Sequence, residues 1–352
     1  MTAVDLGMPR VPRSRDLPPR PGTPELVDRY QRVATDLRVS LIDKCNLRCH
    51  YCMPAEGLDW LPARELLTTR EVVRLVRIAV ERLGVTELRF TGGEPLLRPD
   101  LEEIVAAAAA LSPRPGISLT TNGISLRSRA AALAAAGLDR VNVSLDSVRP
   151  ETFRRITRRD RLADVLDGLA SAAEAGLRPV KVNAVLLPGV NEHEAVELVR
   201  FCLAHGYEPR FIEQMPLDAQ HGWDRSAMVT ADRILELLSE SVRLTPATDD
   251  RGSTPAERWL VDGGPGTVGV IASVTRPFCG ACDRTRLTAD GQLRSCLFSQ
   301  EETDLRALVR AGADDDGIAG AWREAMWGKP AGHGIDDEDF VQPQRPMSAI
   351  GG

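Results

Sequence analysis

Leu37-Arg38-Val39-Ser40-Leu41-Ile42 runs through Asp43-Lys44 into Cys45-Asn46-Leu47-Arg48-Cys49-His50-Tyr51-Cys52. A short β-like run feeding a C-x3-C-x2-C loop decides how the chain is read. α/β barrels place their active sites in the loops that follow strands, so chemistry is expected in this loop. Three thiolates at such spacing can hold three corners of an iron–sulfur cube. Ferredoxin-type clusters use four cysteines, so a loop of three leaves one iron open to bind and activate a small molecule. The spacing points to a radical enzyme rather than an electron carrier. The alternative is a zinc site with His50 as fourth ligand. The place of His50, directly between Cys49 and Cys52, makes that folding-back awkward.

Outward from this loop, strand and helix patterns alternate. Strand runs fall at Leu37–Ile42, Thr86–Phe90, Ile117–Thr120, Val141–Leu145, Val180–Leu186 and Arg210–Met215. Helical patterns lie between them: Val72 to Leu83, Asp100–Leu111, Leu126–Ala136, Arg161–Ala175 and Asn191–His205. Six such units predict parallel strands with right-handed crossovers. They make most of a barrel but not the full eight. The expected fold class is α/β: a partial (β/α)6 TIM-like barrel with a C-terminal extension carrying a second iron–sulfur cluster. Thr245–Gly266, rich in Pro, Gly, Asp and Thr, reads as a linker or irregular loop, and Val268–Val274 as a strand leading to a second cysteine group. The expected division is 1–28 as a disordered extension, 29–245 as the core and 246–352 as a cluster- and substrate-binding region.

Composition narrows the function. The 352 residues are 43% hydrophobic, ample for a large core. No run of 18 apolar residues occurs, so no membrane span is expected. The Pro- and Arg-rich start lacks the apolar stretch of a secretory signal. Six of the seven cysteines form two triplets, unlike a disulfide framework, and Cys202 lies in an apolar helical stretch. The net charge of −6 argues against broad nucleic-acid binding. An anionic ligand would need a local cluster of Arg and Lys.

That cluster is present. Cys279, Cys282 and Cys296 form C-x2-C-x13-C, enclosing Arg284-Thr285-Arg286. A structural zinc normally takes four protein ligands, so a triplet suggests another open-iron cluster, with zinc as the alternative. Guanidinium groups bind phosphate bidentately. Arg38, Arg89, Lys181 and Arg210 lie near strand ends. Together on one barrel mouth, they suggest a polyphosphate ligand.

The cysteine loop and the turn Thr91-Gly92-Gly93-Glu94-Pro95 resemble those of the radical S-adenosylmethionine superfamily. The resemblance implies that the open iron chelates S-adenosylmethionine and that reductive cleavage releases a 5′-deoxyadenosyl radical. It also implies that Tyr51 touches the adenine and Gly93 the amino group, while Ser144 and Met215 complete the pocket. Both triplets, the Gly-Gly-Glu-Pro turn, the Arg-Thr-Arg run and the terminal Gly351-Gly352 together resemble the GTP 3′,8-cyclase family of molybdenum cofactor biosynthesis. That resemblance covers about Leu37 to Gly352. It implies two [4Fe–4S] clusters, the second binding the guanine of GTP through its open iron. Arg38, Arg89, Thr120, Lys181, Arg210, Arg284, Thr285 and Arg286 match GTP-binding positions. Arg284, Arg286, Gly351 and Gly352 are the implied catalytic set, the tail reaching into the site.

The implied reaction abstracts the hydrogen at C3′, joins C3′ to C8 of guanine and reduces the product radical to 3′,8-cyclo-7,8-dihydro-GTP. The implied partners are a cyclic pyranopterin monophosphate synthase acting downstream, an electron donor such as flavodoxin or ferredoxin, and a second copy in a homodimer. The implied location is cytoplasmic. Glu87 departs from the family pattern, where a basic residue is frequent. Two rivals remain: a peptide-modifying radical enzyme with an auxiliary cluster, and a non-enzymatic metal or redox sensor.

Overall fold

The computed structural model describes residues 19–248 and 251–351. Its frame is eight parallel strands joined laterally: β1 (Asp36–Ser40), β2 (Glu87–Thr91), β3 (Gly116–Thr121), β4 (Arg140–Ser144), β5 (Val180–Val185), β6 (Glu208–Ile212), β9 (Thr267–Ile271) and β10 (Arg284–Leu287). The short strands β7 (Leu244–Pro246), β8 (Glu257–Val261), β11 (Gln292–Arg294) and β12 (Thr303–Asp304) add antiparallel flanks. The sheet order is β12-β11-β10-β1-β2-β3-β4-β5-β6-β9-β8-β7. The expected six-strand parallel series is present in sequence order, as a mixed sheet extended on both sides.

Alternation along each strand explains the layering, because successive side chains face opposite sides of a sheet. Leu37 and Val39, Leu88 and Phe90, Ile117 and Leu119, and Val141 and Val143 are fully buried. They share one face with Val182, Phe211, Val270 and Leu287, which are equally buried. Helices pack into the same core: α1 (Thr69–Leu83), α2 (Leu101–Ala109), α3 (Leu126–Ala135), α5 (Leu162–Glu174), α6 (Ala195–Ala204) and α9 (Asp315–Trp327). Thr68 caps α1 through a reciprocal pair with Glu71, a capping box that fixes where the chain turns helical. Removing a fully buried ring such as Phe90 would cost about 3–5 kcal/mol.

The other face is polar. In register across it stand Arg286, Arg38, Arg89 and Ser118, and beside them Thr120, Asn142 and Lys181. Alternation that leaves one face charged in an interior sheet is the feature that builds a site.

Three expectations change. The segment expected as a linker holds β7 and β8, paired antiparallel onto β9. Its Gly and Pro residues form the turns of a hairpin, and Pro246 is tolerated because β7 lies at the sheet edge. Two helices appear where none was expected, α4 (Pro150–Thr157) and α7 (Ala231–Ser239). The short helices α8 (Leu305–Arg310) and α10 (Met347–Ile350) complete the chain. Within the stretch expected to be a disordered extension, Leu26 is fully buried and Val27 bridges Val33. The folded chain therefore begins before residue 29. The rest of that expectation, residues 1–18, lies outside the described residues.

Candidate active site

The first cysteine loop follows β1, and the backbone of Gly92-Gly93 lies directly against the chain that enters it. Gly93 N–H donates to Ile42 O at 2.7 Å and Glu94 N–H to Lys44 O at 2.8 Å. A Cβ on Gly93 would stand 2.2 Å from Asp43 O, so only glycine permits this approach. Glu94 is buried and accepts from Thr121 Oγ1 at 2.6 Å, Asn122 N at 2.7 Å and Leu96 N at 2.9 Å. Burial lifts its carboxyl to about 7 against those bonds. Asn122 in turn donates to Asn46 Oδ1 at 2.6 Å and approaches Cys45 Sγ at 3.9 Å.

The loop's thiols crowd one another in a dry environment. Burial, then Glu94, pushes Cys45 up to about 11. Burial, then Cys45, pushes Cys52 up to about 12, and Cys49 rises through burial, Asp146 and both neighbouring thiols. Such a set becomes anionic only against bound cationic charge, which suits cluster iron. Among the described residues no group of three or more His, Cys, Asp or Glu side chains is placed to hold a metal ion. The corners of a cube stand farther apart than the ligands of a single ion, so that finding bears on a zinc site completed by His50 more than on a cluster. Tyr51 donates to Asp146 Oδ2 at 2.8 Å, and Asp146 also accepts from Val185 N at 2.9 Å. Burial raises Asp146 to about 6. Ser144 ends β4, and Met215 lies beyond β6, packed against an apolar group of Met228, Val274 and Ile335.

The polar face carries the cations. Asp36 stands 3.9 Å from Arg38 Nε, 3.9 Å from Arg284 Nε and 4.0 Å from Arg89 Nη2. Burial acts to raise its carboxyl, but Arg38, Arg89, Arg284 and Arg286 bring it below the ordinary range. Burial and the neighbouring guanidinium of Arg89 pull Arg38 down to about 9, and burial with Arg38 does the same to Arg286. Asp36, with Asp283 a further 3.8 Å partner of Arg284, does not balance four guanidinium groups. The Nε atoms of Arg38, Arg89 and Arg284 are buried and have no hydrogen-bond partner among the described residues. Unmet buried donors are costly, and an anion laid on this face would satisfy them. Lys181, pulled down to about 8 by burial and then Arg210, continues the positive surface with Arg210 and Thr120.

The expected grouping of these cations on one barrel mouth is corrected: they line the strands in register rather than the strand ends. The two triplets also stand apart. Cys45 follows β1, Cys282 precedes β10, and these strands are parallel neighbours, so the two thiols lie at opposite ends of the pair. Thr285 is separated from the other GTP-site candidates. Its side chain shares the apolar face with Leu37, and its Oγ1 accepts from Trp322 Nε1 at 3.1 Å. Between Arg284 and Arg286, alternation forces it outward.

Around the second triplet, Arg284 Nη1 approaches Cys282 Sγ at 3.8 Å. Lys329, buried, donates to Cys282 Sγ at 3.4 Å, Cys282 O at 3.1 Å and Arg284 O at 2.8 Å. Burial raises the Cys282 thiol, but Lys329 and Arg284 outweigh it and bring the thiol below its ordinary value. Three half-buried thiols, with Arg284 and Lys329 beside Cys282, fit a cluster here too. Sequence reasoning missed Lys329 and Asp36. The polar alternation of β1 signalled Asp36, whereas Lys329 lies far along the chain and gave no signal.

The C-terminal tail threads between these groups. Ser40 Oγ donates to Ile350 O at 2.6 Å and Arg286 Nη1 to Gly351 O at 2.7 Å. Gly351 has φ +84°, and a Cβ there would meet Ser40 Oγ at 2.3 Å. Gly352 lies outside the described residues. Glu87 forms an ion pair with Arg140, so its departure from the family pattern has a local partner.

Comparison with known proteins agrees with this geometry. The radical SAM superfamily matches residues 39–202, and the family described as Molybdenum Cofactor Synthesis C matches residues 207–335. A protein of Mycolicibacterium smegmatis named GTP 3′,8-cyclase is 64% identical, over 100% of both chains. One of the same name from Streptomyces coelicolor is 67% identical, over 95% of this chain and 98% of its own. The solved structure of Streptococcus suis SuiB bound to S-adenosylmethionine covers 91% of this chain and 76% of that one, with TM-score 0.58 and 14% identity. At that identity the likeness speaks for the fold alone. Identity above three-fifths along the whole chain is decisive: this chain belongs to the GTP 3′,8-cyclase family of radical S-adenosylmethionine enzymes.

Proposed function

We propose that this chain converts GTP to 3′,8-cyclo-7,8-dihydro-GTP, the first step of molybdenum cofactor biosynthesis, within a partial barrel that holds two [4Fe–4S] clusters. The observation that carries the reading is the row Arg286–Arg38–Arg89 with Arg284, in which the buried Nε atoms of Arg38, Arg89 and Arg284 are unmet donors that suit a polyphosphate; the row lies between the two cysteine triplets. Cys45, Cys49 and Cys52 would hold the first cluster, and Cys279, Cys282 and Cys296 the second. When bound, the first cluster with S-adenosylmethionine supplies the hydrogen-abstracting radical, and the second offers an open iron to the guanine.

This chain's residues then bind and orient. Gly93 presents backbone to the S-adenosylmethionine amino group, and Tyr51, Ser144 and Met215 line the rest of that pocket. Arg38, Arg89, Lys181 and Arg210 hold the phosphates, with Thr120 at the ribose side. Thr285 contributes through its main chain alone. Arg284 and Arg286 fix the substrate near the second triplet. Gly351 fills the space beside Ser40, and the catalytic role assigned to Gly351 and Gly352 is to exclude water from the reacting centre. We assign residues 29–245, together with the packed residues around Leu26, to the core and 246–352 to the substrate-binding region, and expect a homodimer in the cytoplasm. Among the described residues no helix is long and apolar enough to cross a membrane. The product passes to a cyclic pyranopterin monophosphate synthase, and the electrons come from a carrier such as flavodoxin or ferredoxin.

Arg284→Ala tests the substrate. Iron content should stay at the wild-type level while GTP binding, read by calorimetry, weakens at least tenfold, the loss of one charged contact. Unchanged GTP affinity would refute the assignment.

A further inference from the structure

Cleaving S-adenosylmethionine at the first cluster takes one electron, and that electron must reach the Cys45–Cys52 loop from outside the polar cavity. One surface tied directly to the backbone of this loop is that of helix α4. The helix lies with its C-terminal end on the loop: Arg48 N–H donates to Thr157 O at 3.0 Å and His50 N–H to Ile156 O at 3.1 Å. Arg158 then closes the helix with φ +55°, and its Nη1 donates to Arg48 O at 3.1 Å and Met53 O at 3.0 Å. Four hydrogen bonds from two chain segments make α4 and the loop a single unit.

The outer surface of that unit is basic. Between Arg149 and Arg161 the sequence has six arginines against two acids, in a chain whose net charge is −6. Arg149 and Arg161 are neutralised by Glu197 and Asp164. Arg154, Arg155 and Arg159 are exposed, and no carboxylate among the described residues forms an ion pair with them. Three uncompensated guanidinium groups on one short segment are a concentrated positive patch on an acidic protein. None of them touches the cavity built for GTP.

Resting on the reading of the first triplet as a cluster site, we propose that Arg154, Arg155 and Arg159 form the docking face for an acidic one-electron carrier protein. The carrier loses one electron and the first cluster gains it. No proton or bond changes hands at this step. Opposite charge on the two surfaces speeds encounter and sets orientation, an effect that falls with ionic strength. A nucleic acid or an anionic membrane would also meet positive charge, but neither accounts for the direct hydrogen bonding between this helix and the cysteine loop.

The test uses the full chain, reconstituted without oxygen, as wild type and as the Arg154→Glu/Arg155→Glu/Arg159→Glu variant. Binding of oxidised flavodoxin is read by calorimetry. Cleavage of S-adenosylmethionine, with GTP present throughout, is driven in parallel by reduced flavodoxin and by dithionite. The expected result is that the variant binds flavodoxin at least tenfold more weakly and loses the matching share of flavodoxin-driven cleavage. Its dithionite-driven cleavage should equal wild type, and replacing the same arginines with lysine should restore binding. Equal flavodoxin binding and cleavage in the variant would overturn the proposal. So would wild-type protein that takes electrons from dithionite but from neither flavodoxin nor an acidic [2Fe–2S] ferredoxin. Failure of the wild type with dithionite would instead refute the cluster assignment on which the proposal rests.

Discussion

Asp36 is the residue on which the site's electrostatics turn. It is the carboxylate shared by Arg38, Arg89 and Arg284, and those crowded cations repel one another more strongly without it. Removing one partner of a buried ionic group costs about 3–5 kcal/mol. Asp36→Asn should lower unfolding free energy by about that much in thermal or denaturant melts. GTP should recover part of the loss, because its phosphates supply the missing negative charge. Equal melting of variant and wild type without GTP would show that the guanidinium groups find another counter-charge.

Lys181 gives a pH signature at the same scale. Burial and Arg210 hold it down to about 8, so its charge is complete below that pH and fades above it. KM for GTP should therefore rise as pH climbs through about 8, by up to roughly tenfold for one lost ionic contact. Lys181→Arg, charged throughout, should flatten the rise. The arginines and cysteines were legible in the sequence because residue type alone states their chemistry. Lys329 was not, and Asp36 showed only as one polar position in the alternation of β1, since the meaning of both comes from neighbours that only the folded chain supplies.

At the scale of elements, strand alternation carried most of the reading. The six parallel strands and their crossover helices follow from apolar periodicity, and one face of each strand is buried as that pattern requires. The same rule explains the failure at Thr285, since a residue between two inward arginines must point outward. The linker expectation failed because Pro and Gly mark tight turns as well as connections, and β7 and β8 are short edge strands with little periodicity to read. The tail is the element with the sharpest test. Gly351→Ala places a methyl 2.3 Å from Ser40 Oγ at a positive φ, so the tail must withdraw from Arg286. Turnover should fall at least tenfold while iron content and S-adenosylmethionine binding stay level. Undiminished turnover would show that the tail only packs.

Over the whole molecule, two sequence signals far apart in the chain meet on one polar face of the sheet. β1 delivers the first cysteine loop at its end, β10 begins beside the second, and the strands are direct neighbours. The arginines of both point to the same face, so a substrate laid along them spans from one triplet toward the other. Spacing in the sequence gave both triplets but not their opposed placement, because that depends on β10 inserting parallel to β1 after most of the chain has intervened. The central claim is that this face couples radical generation to GTP. The most direct measurement is mass spectrometry of anaerobically reconstituted protein given S-adenosylmethionine and dithionite, with and without GTP. The account predicts 5′-deoxyadenosine formation that depends on GTP, together with a GTP-derived isomer that retains its mass. Deoxyadenosine formed equally without GTP, and no isomer with it, would contradict it.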